Sequence, residues 1–421
     1  MSLFRGVFKN LRRGTTPSAD ALHGQLEEAI AQGDQQSALA LSERILALHA
    51  DDTRALWAAA VISFKSGDVE LGTSYFARLE DISSAGGRSA RLVKESLMDP
   101  ERATRGVPYV ARLDDVLLDP GYWAVIDGDR LYTRETQGRT IANSPIVGGR
   151  VTRDGRRCVV SLPQAPERIE EPCVLLGSDQ NYAHWVLRNL PKLSLLERAD
   201  VPAEAPFLVR EDLRRWQLDF LELIGIPESR LRKVSDGNVV ACRRLYVPTQ
   251  LNQHPRLGEG LAWLRARLAP LLVAPGQATD LVYASRREHP RRMLLNESEV
   301  EAALAPLGFR TIVPGEMSVR EQIAAFSRAR VVVAPHGAGL ANMAFAPRGA
   351  ALVEIASSAI AHMGEFRHLC EVSGMRVRCI TSSDMDDAAS SDGGGMHRHY
   401  RVDVDELLSA VREVLDLRSE P

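Results

Sequence analysis

Between about residues 20 and 84, apolar side chains recur at three- and four-residue steps. They do so in Leu39-Ala40-Leu41-Ser42-Glu43-Arg44-Ile45-Leu46 and again in Leu56-Trp57-Ala58-Ala59-Ala60-Val61, a spacing that predicts amphipathic helices. From Gly106 to about Pro166 the texture changes to short strand-like runs separated by turns, such as Tyr122-Trp123-Ala124-Val125-Ile126 ahead of Asp127-Gly128-Asp129. From Cys173 onward the apolar runs Val174-Leu175-Leu176, Phe207-Leu208-Val209 and Leu245-Tyr246-Val247 alternate with helix-like segments from Asn181 to Arg198 and from Leu213 to Ile224. Such alternation favours an α/β layer with a parallel sheet. Ala269-Pro270 through Pro275-Gly276 reads as a linker, after which the run Asp280-Leu281-Val282-Tyr283-Ala284 opens a second α/β unit. Its further elements are a helix from Glu297, a strand at Arg310-Thr311-Ile312-Val313, a helix from Val319, a strand at Val331-Val332-Val333-Ala334, a glycine turn with a helix, and a strand at Ala351-Leu352-Val353-Glu354-Ile355. The Ser, Asp and Gly-rich stretch from Ser382 to Gly395 reads as a solvated loop, and Asp403 to Leu417 as a closing amphipathic helix.

The pair Gly33-Asp34 recurs as Gly67-Asp68, a shift from 33 to 67 of 34 residues, each pair closing one helix ahead of another. That period is similar to the tetratricopeptide helical hairpin, with Ala38 and Gly72 as small contact residues, although a plain helical bundle meets the same pattern. Two copies are fewer than a free-standing solenoid needs, so this segment is expected to pack on the rest of the chain or on a protein partner. At 421 residues the chain is too long for one ordinary core. The expected organisation is a basic amphipathic or unstructured terminus over 1–19, a helical segment over 20–100, and α/β domains over 106–272 and 277–421.

With 45% hydrophobic residues, 25% charged residues and a net charge of -3, nothing global points to nucleic acid, so an anionic partner must be met by a local cluster. The five scattered cysteines never form a C-x-x-C pair, which reads as reduced thiols in a cytoplasm rather than as a disulfide framework or a zinc site. The apolar stretch from Val331 to Ala361 is broken by His336, Arg348 and Glu354 and cannot cross a bilayer. Phe4, Val7, Phe8 and Leu11 alternate at helical spacing with Arg5, Lys9, Arg12 and Arg13. This reads either as a short helix lying peripherally on an anionic membrane face or as a frayed terminus.

Three segments could carry chemistry. The β-branched run at Val331 to Ala334 leads into Pro335-His336-Gly337-Ala338-Gly339-Leu340-Ala341-Asn342, where two glycines let a ligand approach the backbone. A helix beginning near Leu340 would aim its N–H groups at a diphosphate. Ser285-Arg286-Arg287, just past another strand, offers guanidinium groups to phosphate oxygens. In Asp179-Gln180-Asn181-Tyr182-Ala183-His184-Trp185-Val186-Leu187-Arg188, His184 is placed to act as a base. Each has a plainer reading: a tight turn without ligand, solvated surface arginines, and a structural histidine. No metal site is expected. Asp384-Met385-Asp386 has a D-x-D form but lies in the soft loop, Asp127-Gly128-Asp129 reads as a hairpin turn, and His397-Arg398-His399 lacks a carboxylate or cysteine partner.

Together the three segments resemble glycosyltransferase family 61, known in bacterial capsular-polysaccharide proteins, plant xylosyl- and arabinosyltransferases and animal O-linked N-acetylglucosaminyltransferases. The features that carry the resemblance are Asn181-Tyr182 with His184-Trp185 and Leu190-Pro191; Ser285-Arg286-Arg287 with Leu295-Asn296-Glu297; and His336-Gly337-Ala338-Gly339-Leu340 with Asn342, Pro347, Gly349 and Glu354. The resemblance implies a GT-B fold of two facing Rossmann-like domains, the first holding the acceptor and the second the donor. It also implies inverting, metal-independent transfer from a nucleotide sugar, normally a uridine diphosphate sugar, with no other cofactor. The acceptor would be a hydroxyl of a glycan, glycolipid or protein, as in surface polysaccharide biosynthesis. In that picture Ser285, Arg286, Arg287, the turn from His336 to Leu340, Asn342 and Glu354 bind the donor, Glu354 through the nucleoside sugar. Asn181, Tyr182 and Arg188 lie on the acceptor side. The family usually has Asp or Glu four residues after the histidine, where this chain has Arg188. Base candidates are therefore His184 and then Asp179, and the rival reading is a non-catalytic scaffold that binds partners through its helices.

Overall fold

The computed structural model describes residues 19–66, 68–85, 88–137, 150–151, 157–163, 165–235, 238–252, 254–274, 276–382 and 398–416. The basic segment at 1–13, the Asp384-Met385-Asp386 triplet and His397 lie outside the described residues.

Four α-helices, Ala19–Ala31, Gln35–Leu48, Thr53–Ser66 and Val69–Ala85, open the chain. The recurring aspartate has one job at both places. Asp34 accepts the Ser37 N–H at 3.1 Å and Asp68 accepts the Leu71 N–H at 3.0 Å, so each caps the helix that follows it. Asp52 does the same for the third helix, accepting the Ala55 N–H at 2.8 Å, and its other oxygen lies 3.0 Å from His23 Nε2 on the first helix. The helices enclose their own core, in which Leu22, Leu26, Ile45, Leu56 and Ala59 are buried. Beyond Ala85 the chain leaves the helical layer. Arg88–Glu95 is a strand and pairs antiparallel with Arg157–Pro163.

That pairing ties the helices to an 11-stranded mixed sheet. One end of this sheet is parallel, with Leu231–Val234, Phe207–Arg210, Cys173–Leu175 and Val240–Pro248 side by side. The middle is built by Val110–Asp119, Ala124–Asp127 and Arg130–Tyr132, which run antiparallel because tight turns join them, and the far end by Arg88–Glu95, Arg157–Pro163 and Arg150–Val151. The first α/β layer is therefore only partly of the parallel, helix-covered kind. The helix expected from Asn181 to Arg198 is also not uniform: a single α-turn at Tyr182–His184 opens into a π-helix over Trp185–Asn189 and closes as a 3₁₀ helix over Pro191–Arg198.

The second sheet has five parallel strands in the order Phe309–Ile312, Asp280–Ala284, Ala329–Pro335, Ala351–Ser357, Arg376–Ser382. Its continuous apolar run is explained by burial on both faces. Val331 and Val333 face Ile355, Tyr400 and the C-terminal helix Val404–Asp416, whereas Val332 and Ala334 face the layer shared with the first sheet. That shared layer is one continuous core. It contains Val174, Trp185 and Phe220 from the first unit and Val332, Phe345 and Leu352 from the second, and the Phe220 and Phe345 rings stack at 6.1 Å. Among the described residues no helix is long and apolar enough to cross a membrane.

If this core joins the two units, Phe220→Ala should cost about 3–5 kcal/mol in denaturant unfolding and destabilise both units together. A loss under about 1 kcal/mol, or two separated transitions with only one displaced, would contradict it.

Candidate functional site

In the second sheet the chain order reverses between Asp280–Ala284 and its neighbour Ala329–Pro335. Open parallel sheets bind ligands outside the carboxyl ends of their strands at such a switch point. The two segments that leave there are Ser285-Arg286-Arg287 and His336-Gly337.

Ser285 is buried. Its N–H donates to the Ile312 carbonyl at 2.9 Å, and its hydroxyl accepts from the Arg287 N–H at 3.2 Å and from Arg287 Nε at 3.1 Å. Arg287 continues to Glu301 on the helix Glu297–Leu304, at 2.5 Å, so its charge is matched within the protein. Arg286 is different. Its Nη1 donates to the Arg292 carbonyl at 2.8 Å, and its Nε is buried without a partner. Arg292 likewise has a buried, unpartnered Nε and adopts a left-handed φ of 55°, a backbone state that costs a non-glycine residue about 1–2 kcal/mol. Burial, and then the charge of Arg292, depress the affinity of Arg286 for its proton, and burial does the same to Arg292. Among the described residues neither guanidinium forms an ion pair with a carboxylate.

Gly337 explains itself against this pair. Its backbone is extended, with φ -177°, so no special conformation demands a glycine. A Cβ there would instead lie 3.0 Å from Arg286 Nε. The residue is small because the guanidinium sits against the strand end. Further along the same edge, Ser357 and Ser382 are register partners on the last two strands, and both hydroxyls are buried without a partner. Asn296 holds the segment that covers the site, donating to the Val402 carbonyl at 2.9 Å and accepting its N–H at 3.2 Å. Next to it the buried Tyr400 donates its hydroxyl proton to the Ile355 carbonyl at 3.3 Å.

The segment after Gly337 departs from expectation. Ala338–Phe345 is a 3₁₀ helix, not an α-helix starting near Leu340, and the Leu340 N–H already donates to the Gly337 carbonyl at 3.0 Å. The tighter winding follows from burial, since Leu340 to Phe345 are all packed into the shared core. Asn342 is also engaged within the protein. Its Oδ1 accepts the Tyr182 hydroxyl at 2.6 Å, and its Nδ2 donates to Gln322 Oε1 at 2.8 Å and to the Gly339 carbonyl at 3.0 Å. Burial raises the pKa of the Tyr182 phenol far above its ordinary value, which keeps it a donor in this link between the units. His336 is buried; its Nδ1 lies 2.6 Å from Glu354 Oε1 and its ring lies 5.2 Å from that of Phe366.

The first unit supplies a second histidine–carboxylate pair, with His184 Nδ1 2.6 Å from Asp179 Oδ2. Asn181 sets its geometry by accepting the N–H groups of Ala183 at 2.9 Å and His184 at 3.3 Å, while its own N–H donates to Asp179 Oδ1 at 2.8 Å. Burial is the largest single influence on the Asp179 carboxyl and pushes its pKa up. The hydrogen bond and charge of His184, the Asn181 N–H and the charge of Arg188 together outweigh it and leave the pKa below the ordinary value. Arg188 itself reaches across to Glu365 Oε1 at 3.3 Å, and its Nε is buried without a partner. Glu365 begins the helix Glu365–Val372, where a carboxylate is favoured by the helix dipole, and the next residue is the Phe366 that packs on His336.

The structure thus brings together Asp179, Asn181, His184 and Arg188 in one place and Arg286, His336, Gly337 and Glu354 in another, with Arg287 and Asn342 turned to partners inside the protein. Glu365, Ser357 and Ser382 escape sequence reading as site residues, with no local signal. Arg292 lies in the Pro290-Arg291-Arg292 run that follows Ser285-Arg286-Arg287 in the sequence. Among the described residues no three His, Cys, Asp or Glu side chains group closely enough to hold a metal ion.

Because the Asp179 carboxyl has a lower pKa in the folded chain, its stabilisation is present above the unfolded value of about 4 and is lost as pH falls through the folded one. Asp179→Asn should therefore lower stability at pH 7 by up to about 1 kcal/mol, the side chain being partly exposed, with the difference closing as pH falls below the unfolded carboxyl value. A pH-independent difference in urea melts would remove the His184–Asp179 pair from the account.

Residues 182–353 match the family described as Glycosyltransferase 61. No curated protein matches the chain.

Proposed function

We propose that the chain, whose residues 182–353 match the family described as Glycosyltransferase 61, is a glycosyltransferase that moves a sugar from a nucleoside diphosphate donor to an acceptor hydroxyl in one inverting displacement. One observation carries the donor assignment: at the switch point of the parallel sheet, Arg286 and Arg292 lie side by side, half-buried and, among the described residues, in no ion pair with a carboxylate, against a glycine whose added Cβ would crowd Arg286 Nε. Two neighbouring cations partly removed from water repel each other, and a diphosphate relieves both that repulsion and the unmet hydrogen bonds. Uridine diphosphate is the carrier the resemblance favours. The acceptor is a hydroxyl of a glycan, glycolipid or protein, in keeping with surface polysaccharide assembly.

On the acceptor side, Asp179 holds His184 through Nδ1, which leaves Nε2 with no partner among the described residues and able to take a proton. His184 removes the acceptor proton, the oxygen attacks the anomeric carbon, and the bond to the diphosphate breaks with its electron pair left on phosphate oxygen. The guanidinium pair stabilises the charge that develops there. Arg188 alone would favour a scaffold over a catalyst. Its contact with Glu365 supplies a carboxylate at the same position from the other unit, so that argument loses its force.

Arg286→Ala should weaken uridine diphosphate binding in calorimetry at least tenfold, as loss of a charge-assisted hydrogen bond of about 1.5–3 kcal/mol requires. The melting temperature of the free protein should hold or rise, because a half-buried cation outside any ion pair among the described residues has been removed. Unchanged affinity would take Arg286 out of the site. His184→Ala should abolish transfer while nucleotide binding persists, and normal turnover would exclude it as the base.

A further inference from the structure

The two histidine–carboxylate pairs have the same local geometry, Nδ1 to carboxylate oxygen at 2.6 Å in both, and lie in different units of the chain. The transferase reading employs only one of them. The other is costly to keep without a purpose. Glu354 is a buried carboxylate at the end of a fully buried strand, and among the described residues its only ion-pair partner is His336. His336 Nε2 has no partner among the described residues. The next residue is Gly337, against which Arg286 lies.

Resting on that reading, we propose that His336, oriented by Glu354, is the acid that gives a proton to the departing diphosphate. His184 takes the acceptor proton as the new C–O bond forms. The anomeric carbon–phosphate oxygen bond breaks, its electron pair goes to that oxygen, and the proton from His336 Nε2 follows it there. His336 is left neutral, and each cycle returns one proton to solvent from His184 and restores one to His336.

The surroundings of His336 dictate when it carries that proton. Arg286 lies against the neighbouring Gly337 and reaches the Arg292 carbonyl, so positive charge stands near the turn that carries His336. Behind His336 is Glu354, which favours its protonated form. Titratable groups on the elements packed around it include Tyr400 ahead of the last helix, Glu365, Arg367, His368, Cys370 and Glu371 on the helix that carries Phe366, and Arg376, Arg378 and Cys379 on the last strand. Burial pushes the Cys370 thiol up to about 12 and raises the Cys379 thiol and the Tyr400 phenol as well, so these three stay neutral. Glu365 is occupied by Arg188. A bound diphosphate would add negative charge on that side, and by general electrostatics this favours the protonated ring that the proposal requires. Glu354 acts as a positioning residue, fixing the tautomer that presents Nε2.

The test uses the full chain and calorimetric binding of uridine or guanosine diphosphate at pH 7.5 in two buffers of different ionisation enthalpy. The unsubstituted protein should show a buffer-dependent enthalpy, a fraction of a proton taken up beyond the titration of the free nucleotide. His336→Asn should lose that uptake while keeping affinity within about tenfold, and should lower donor turnover at least a hundredfold with loss of the alkaline limb of the kcat profile. Glu354→Gln, which keeps a hydrogen bond to the ring, should fold with a near-normal melting curve yet reduce the uptake and shift that limb to lower pH. The same uptake in His336→Asn as in the parent, or turnover within threefold, overturns the assignment of His336 and leaves the transferase reading standing. If the unsubstituted protein neither binds a nucleotide diphosphate nor turns over a donor, both fall.

Discussion

Two half-buried guanidinium groups, side by side and in no ion pair among the described residues, set the terms for the rest of this molecule. Such an arrangement is unfavourable in isolation, and the surrounding structure is organised to impose it. The backbone of Arg292 is held in a left-handed state, its carbonyl receives Arg286, and Asn296 clamps the returning segment at Val402 so that Tyr400 closes over the strand ends. Strain of this kind persists only where neighbouring contacts over-determine it. Here those contacts come from a doubly wound sheet whose strands are buried on both faces and therefore have little freedom to shift.

The same rigidity fixes the first unit against the second. Trp185, Phe220 and Phe345 belong to one apolar layer, and the Tyr182–Asn342 hydrogen bond lies at its edge. This packing brings the π-helix Trp185–Asn189 to the side of a helix that starts at Glu365, so residues 177 positions apart meet as an ion pair. Function in this arrangement is a matter of two bodies held in register rather than of a single motif.

What the sequence made legible follows from how local the cause is. The strand at Val331 to Ala334 and the glycine turn after it were readable because burial on both faces needs uninterrupted apolar residues and a close approach needs a residue without a Cβ. The capping aspartates at 34 and 68 were visible as a repeat for the same reason: each acts on a backbone N–H three residues away. Glu365 was invisible, because nothing near it in the chain announces Arg188. In the antiparallel part of the first sheet the hairpin turn at Asp127-Gly128-Asp129 was legible, whereas the pairing of Val110–Asp119 with Val240–Pro248 was not, since short strands give the same alternation whichever way their neighbours run. The 3₁₀ winding of Ala338–Phe345 comes from packing against a distant surface, and local propensity carries no trace of it.

The widened turn at Trp185–Asn189 has a consequence for how such a chain can vary. A π-turn accommodates one residue more than an α-turn. Its surplus residue lets His184 keep its place beside Asp179 while Pro191, further along, lies where a Cβ on Gly260 would come within 2.8 Å of it. Deleting one residue here would restore ordinary winding and swing everything downstream by roughly 100° about the helix axis. Arg188 would then leave Glu365, and Pro191 would leave its glycine seat. Length, more than composition, is what this short stretch has to conserve.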